Sequence, residues 1–219
     1  MIKLARIGLF FGFLHFWFVP SSSSQVSTYQ VKPGKAHDDI DIARHNKALS
    51  SLIKGSELEK KQTTTAILKN PNYYNPTVIY ALSSVLFEQG LKDEAMYWFY
   101  IAQLRARYDA NLCLDASARQ AVTILNQEFG PEINKYAFKD IDKLKITVKK
   151  VVDFVRGNKE DYDHRWISLH GMGAVKSGLE GDSDEKKALI QPVNKWPEIK
   201  RKTVDDYYAG FLDAVKMMK

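Results

Sequence analysis

An acid, a base and a hydroxyl group crowd together in the segment from Tyr162 to Gly173. A hydrolase would use His164 as the general base and Ser168 as the nucleophile. The carboxylate that orients the base would be Asp163 or Asp161. Such a triad usually converges from separate elements, and Ser168 lacks the flanking glycines of a nucleophile elbow. The spacing therefore gives this catalytic interpretation little support.

The same segment has a structural interpretation. Trp166, Ile167 and Leu169 would pack inward, as large apolar side chains usually do. Asp163 and Arg165 would bond to the backbone or to each other. We favour this interpretation and predict that the chain is not an enzyme.

Histidine and glycine spacing does not support a metal or phosphate site. His164 and His170 are six residues apart, whereas two imidazoles share a face at spacings of four in a helix or two in a strand. His37 precedes three acids at the start of a predicted helix, where acids are usually caps: Asp38, Asp39 and Asp41. Gly171 and Gly173 lack the strand and lysine of a phosphate loop. We predict no cofactor and no metal.

The composition excludes several classes of protein. The net charge is +6 with a pI near 9.2, and lysines alternate with acids, as in the stretch 139–143. Nucleic-acid binding would concentrate basic residues on one surface, so we predict no nucleic-acid partner. Cys113 is the only cysteine, which rules out an internal disulfide, and we expect it to be a buried small hydrophobe.

The first residues have the three-part layout of a secretory signal. Lys3 and Arg6 give a positive start, and an apolar stretch runs from Ile7 to Val19. Pro20 interrupts this stretch, and the serines from Ser21 to Ser24 supply small residues beside a cleavage site. The apolar stretch is shorter than the roughly 20 residues that cross a bilayer. An uncleaved anchor is the alternative to a cleaved signal.

These features predict a signal peptide at residues 1–24, cleaved near 21–25, and a flexible leader at 25–37. A single helical domain at 38–219 would follow, with an irregular segment at 158–202 before its last helix. We therefore expect a periplasmic or secreted protein without a stable membrane span after signal removal.

Apolar residues at helical spacing, with caps and breakers between them, predict an all-α fold. We expect an irregular helical bundle, or a short helical array, with a less regular C-terminal region. Thr203 would cap the last helix. The other predicted helices cover residues 38–54, 56–69, two helices within 75–108, then 109–129, 131–138 and 140–156.

The segment Asn75–Tyr108 shows the clearest supersecondary pattern. Asn75 and Pro76 suit a helix start, and Gly90 suits a tight turn between two helices. The segment resembles a tetratricopeptide-like helical hairpin, with apolar, small, glycine and aromatic positions at these residues: Ile79, Leu82, Ser83, Leu86, Gly90, Ala95, Phe99 and Ala102. The pattern occurs once, whereas a solenoid needs about three repeats. The resemblance implies one hairpin within a bundle.

Four consecutive aromatic residues, Tyr97 to Tyr100, point in every direction around a helix. Packing into a core on both sides is one interpretation. The alternative is a partner-binding surface of the residue types enriched at interfaces. For that surface we predict these candidate residues: Tyr97, Trp98, Tyr100, Arg105, Arg107, His164, Arg165 and Trp166.

Three function classes follow from these observations. A small, exported, all-helical chain without a catalytic motif is similar in class to the immunity proteins that block type VI secretion effectors. This likeness implies a protein-binding module that occludes a secreted toxin. An envelope scaffold or assembly factor is the alternative, with an envelope component as its partner. A hydrolase using His164 and Ser168 is the third class.

Overall fold

The helices of this chain surround one central helix, and the all-α prediction is confirmed. The computed structural model describes residues 37–180 and 188–217, which fall in one compact unit. Short 3-10 turns lie at Pro71–Tyr73, Ala116–Arg119, His164–His170 and Val193–Lys195. The α-helices are α1 (Ala43–Lys54), α2 (Glu57–Lys69), α3 (Pro76–Glu88), α4 (Lys92–Leu112), α5 (Gln120–Phe129), α6 (Pro131–Ala137), α7 (Ile141–Gly157), α8 (Met172–Glu180) and α9 (Trp196–Lys216).

Helix α4 is the central helix, because α3, α5, α6, α7 and α9 all pack against it. Its small residues Ala95, Ala102 and Ala106 are fully buried, which lets neighbouring helices approach closely. Phe99 packs edge-to-face on Tyr80 of α3. Apolar side chains therefore point outward from α4 in several directions, and neighbouring helices cover most of its surface.

The hairpin of α3 and α4 forms where the sequence predicts it. Asn75 caps α3 by accepting from the Val78 N–H, and Pro76 occupies the first turn. Gly90 has φ +83°, the left-handed region that favours glycine, and the Leu91 N–H donates to the Leu86 carbonyl at 2.9 Å. The predicted helix pair and its turn are confirmed, whereas the tetratricopeptide resemblance stays a prediction.

We expect Asn75→Ala to lower the free energy of unfolding by about 1–2 kcal/mol, because the variant loses the side chain that caps α3. The cap is buried, so water cannot replace it. Urea titration of the purified chain measures the change. Asn46→Ala, at an exposed position inside α1, is the matched control. An equal loss in both variants would show that the cap contributes nothing.

Helix α1 begins later than the sequence predicts. It starts at Ala43, and its N-cap residue Ile42 makes no side-chain capping bond. The predicted cap Asp39 instead accepts from Arg165 Nη1 at 2.9 Å. An ion pair with a distant segment therefore holds this carboxylate, and the prediction of a helix from residue 38 is wrong.

The prediction of one helix over residues 109–129 is also wrong. Helix α4 continues to Leu112, and α5 begins only at Gln120. Between them the backbone bonds across the chain, with the Leu114 N–H donating to the Leu189 carbonyl at 3.0 Å. Cys113 forms an isolated antiparallel bridge with Ile190 and is buried, as predicted. Backbone groups that pair with a distant segment cannot continue a helix.

The C-terminal region is more helical than the sequence predicts. Helix α8 lies within the segment predicted to be irregular, and α9 begins at Trp196 rather than at Thr203. Pro197 fits the first turn of α9, where its missing N–H costs nothing. The Thr203 hydroxyl accepts from Asn111 Nδ2 at 2.8 Å, so it bonds to α4 instead of capping a helix.

The predicted signal peptide, and the leader up to residue 36, lie outside the described residues. Within the ranges that are described, no helix is long and apolar enough to cross a membrane.

Candidate functional site

Most of the predicted binding residues lie in the interior. Arg107 is exposed, and Tyr97 and Arg165 are half-buried. The other five are buried and cannot form a surface patch: Trp98, Tyr100, Arg105, His164 and Trp166. The four aromatic residues at 97–100 pack on two sides of α4, with Trp98 against Phe154 of α7 and Tyr100 bonded to Asn134 of α6.

Asp109 of α4 is a buried acceptor for three side chains of the segment after α7. Its Oδ2 accepts from the Tyr162 hydroxyl at 3.0 Å and from Trp166 Nε1 at 2.7 Å. Its Oδ1 lies 2.6 Å from His164 Nδ1. A carboxylate only accepts, so this contact assigns the Nδ1 proton to His164. The three bonds attach the segment to the central helix.

The environment of His164 favours the protonated imidazole. Burial lowers the pKa of His164, but the Asp109 carboxylate, with a contribution from Glu160, raises it by more. The pKa of His164 therefore lies above its usual value.

Ser168 does not complete a triad with this histidine. Its hydroxyl donates to the Arg165 carbonyl at 2.6 Å, and the side chain is buried. Asp163, the proposed orienting acid, bonds to Arg165 at 2.7 Å, while His164 is oriented by Asp109. Ser168 and Asp163 thus bond to Arg165, and His164 bonds to Asp109, so the proposed triad is not assembled.

A second buried cluster lies one helical turn before Asp109. Arg105 is fully buried, donates to the Pro71 carbonyl at 3.1 Å, and also donates to the Asn72 side chain. Its Nε lies 3.6 Å from Glu160, whose carboxylate accepts from Lys200 of α9 at 2.7 Å. This cluster joins α4, the segment before α3, and α9.

The two clusters show what sequence reasoning missed. Arg105 and Asp109 are four residues apart on α4, just after its most apolar stretch, so both face the same side of the helix. Opposite charges at a spacing of four, directly after an apolar run, were the available signal for a polar contact on this face of the helix. Its partners at 160–166 and in α9 had no local signal.

The histidine contact predicts a pH dependence of stability. Because the folded-state pKa of His164 is raised, its stabilising effect is complete below the unfolded pKa of about 6.5 and is lost as pH rises through the folded pKa. We expect the native chain to be more stable than His164→Gln, and this difference in unfolding free energy should fall as pH rises from about 6 to about 9. Urea titrations at each pH measure it. A difference that grows with pH would contradict the assignment.

An open cleft of about 350 Å³ lies between α4, α5 and α9. We call it the arginine cleft. Six of its polar lining residues are Arg107, Asn111, Arg119, Asn126, Asp206 and Tyr207. It includes Arg107, a predicted binding residue, and adds Arg119 and Tyr207, which sequence reasoning did not single out.

Hydrogen bonds hold the floor of the arginine cleft in place. The Tyr207 hydroxyl donates to Gln103 Oε1 at 2.8 Å, and Gln103 Nε2 donates to Asn126 Oδ1 at 2.9 Å. The Tyr80 hydroxyl donates to the same Asn126 oxygen at 2.8 Å. Burial raises the pKa of Tyr207, so this phenol stays protonated. The floor is therefore ordered and uncharged.

The charge of the arginine cleft comes from its rim. The Arg107 guanidinium lies 5.5 Å from the centre of the Tyr207 ring, and Arg119 is exposed. Neither arginine forms an ion pair with a carboxylate of the described residues. Asp206 also lines the cleft, but it pairs with Lys202 at 2.7 Å. Two guanidinium charges there are left without an ion pair among the described residues.

A second groove of about 390 Å³ lies between the N-terminal halves of α4 and α7. Tyr97 and Ile146 are its large apolar lining residues, and the Ile146 side chain is 60% exposed. Asp93 lines its edge and accepts from Lys143 at 3.0 Å. This groove is where the structure places the predicted binding residue Tyr97.

Within residues 37–180 and 188–217, no three His, Cys, Asp or Glu side chains are grouped to hold a metal ion.

The fold and site together define an all-α protein with a cationic, hydrogen-bonded cleft. No protein-family model matches the chain, and no solved structure matches it. The chain is similar to an uncharacterized protein of Haemophilus influenzae, with 30% identity over 132 residues. That match covers 57% of this chain and 48% of the relative, so the chain spans about half the length of the curated relative that it matches.

Proposed function

We propose that the chain is an exported protein-binding module and that its partner binds at the arginine cleft. The observation that supports this proposal is the pair Arg107 and Arg119, exposed and uncompensated by described carboxylates, beside the ordered ring of Tyr207. Arginine and tyrosine are enriched among the residues that dominate interface energetics. A rigid floor lowers the entropy cost of binding, because few side chains must be ordered.

An immunity protein that occludes a secreted toxic effector is the role we propose first. Such a protein acts by covering a surface of the effector, so it needs a surface of fixed shape and no reactive group. An envelope scaffold is the second candidate. The groove at Tyr97 and Ile146 favours it, because a scaffold requires more than one contact surface.

Site-specific photo-crosslinking tests the proposal in the organism that makes the chain. A photoreactive residue would replace Thr123, an exposed lining residue of the arginine cleft. Thr65, which is also exposed and lies on α2, provides the matched control position. We expect a discrete protein adduct from position 123 that is absent from position 65. Identical adducts from both positions, or none from either, would overturn the proposal.

The identity of the adduct then separates the two roles. An immunity protein predicts that the captured partner is toxic when produced alone and harmless when produced together with this chain. A scaffold predicts a captured envelope component without toxicity.

A further inference from the structure

We propose that the occupant of the arginine cleft is an acidic segment of the partner protein, whose carboxylates bind Arg107 and Arg119. This inference rests on the proposed function and adds the chemistry of the ligand.

The charges of the cleft favour a carboxylate ligand. Arg107 and Arg119 have no ion pair among the described residues, whereas the other exposed arginines on α1 and α9 each face an acid: Arg44 with Asp41 and Arg201 with Asp205. Asp206 does not compensate the cleft, because Lys202 lies 2.7 Å from its carboxylate. A carboxylate that enters therefore meets two free cations.

The polar groups of the floor favour the same ligand. Asn126 Oδ1 already accepts from both Tyr80 and Gln103, so the group that Asn126 has left is its Nδ2 donor. Arginine supplies donors only, in a fork that matches the two oxygens of a carboxylate. The cleft thus offers donors to a ligand that brings acceptors.

The shape of the cleft favours an extended segment over a folded surface. About 350 Å³ accommodates a few side chains, and the cleft is open along the junction of three helices. Arg107 and Arg119 both line the cleft and are exposed, so a chain lying in the cleft can contact them. A segment with closely spaced glutamates or aspartates satisfies these conditions.

Hexaglutamate is the probe. Hexaglutamine and inorganic phosphate are comparison ligands, the first without charge and the second an anion without a carboxylate. NMR signals of the arginine Nε–H groups of the full chain would report binding. The dissociation constant would be measured at low and at high salt. We expect hexaglutamate to shift the Arg107 and Arg119 signals and to bind more weakly as salt rises.

Two double variants make the test specific. We expect Arg107→Gln with Arg119→Gln to weaken hexaglutamate binding about tenfold or more. Arg44→Gln with Arg201→Gln removes the same charge from outside the cleft, and its Arg44 also lies over a tyrosine ring, that of Tyr73. This control should bind as the native chain does.

Several outcomes would overturn the inference. They are equal binding of hexaglutamine, tighter binding of phosphate than of hexaglutamate, or an equal loss in both double variants. If the adduct at position 123 forms but hexaglutamate does not bind, the cleft holds a partner through other chemistry, so the proposed function stands and this inference falls. If hexaglutamate binds but no adduct forms, the proposed function falls.

Discussion

Replacing Asp109 with alanine is expected to lower the free energy of unfolding by about 3–5 kcal/mol, one of the two largest single effects that the structure predicts. The variant would leave three buried donors without their acceptor: the Tyr162 hydroxyl, His164 Nδ1 and Trp166 Nε1. None of these groups can reach bulk water while the segment remains in place, because all three side chains are buried. A guanidinium titration, monitored by tryptophan fluorescence, measures the loss of unfolding free energy.

Two further variants keep this prediction open to contradiction. Asp213→Ala removes an exposed acid that pairs with Lys216 on α9, and it should change stability by no more than about 0.5 kcal/mol. Asp109→Asn retains one acceptor oxygen and should fall between the two alanine variants. If Asp109→Ala and Asp213→Ala lose the same stability, the buried acceptor is not what holds the segment.

Replacing Glu160 with glutamine is expected to lower the free energy of unfolding by about 3–5 kcal/mol, because Arg105 and Lys200 lose their shared anion. The Glu160 side chain is 3% exposed and that of Arg105 is fully buried, so solvent cannot compensate the charge of Arg105. Lys200 is 17% exposed and can turn partly toward water, which leaves most of the penalty on Arg105. Thermal and denaturant unfolding both measure it.

A double variant separates the loss of the anion from simple repacking. Arg105→Met with Glu160→Met removes both charges, and we expect it to be more stable than Glu160→Gln alone, because no unpaired ion remains in the core. Glu57→Gln is the surface control, since Glu57 pairs with Lys60 on an exposed face of α2. If the double variant is less stable than Glu160→Gln, an unpaired ion in the core is not the cause of the loss.

The sequence predicts an element well where its boundary residues act locally. Gly90 ends α3 in the left-handed region, as the spacing predicts, and Ser56 begins α2 with a local capping box to Glu59. Helix α2 buries only Thr64 and Ile67, and its Leu58 is exposed. A short helix at the edge of the fold needs only a narrow apolar stripe.

Boundaries set by distant partners could not be read from local spacing. Asp39 binds Arg165 rather than capping a helix, and the backbone at Leu114 bonds to Leu189. Both contacts join residues far apart in the chain. The candidate site shows the same division, since Arg107 was predicted from its place on α4, whereas Arg119 and Tyr207 reach the cleft from two other elements.

The central position of α4 has a consequence for how the chain unfolds. Five helices lose their packing surface if α4 leaves, and α4 has almost no solvent-facing side of its own. Its amide hydrogens should therefore exchange with deuterium only when the whole described body opens, at a rate that reports global stability. A protease nick near Gly90 or Leu114 would release no separately stable half, because each piece would lack the surface that its helices cover.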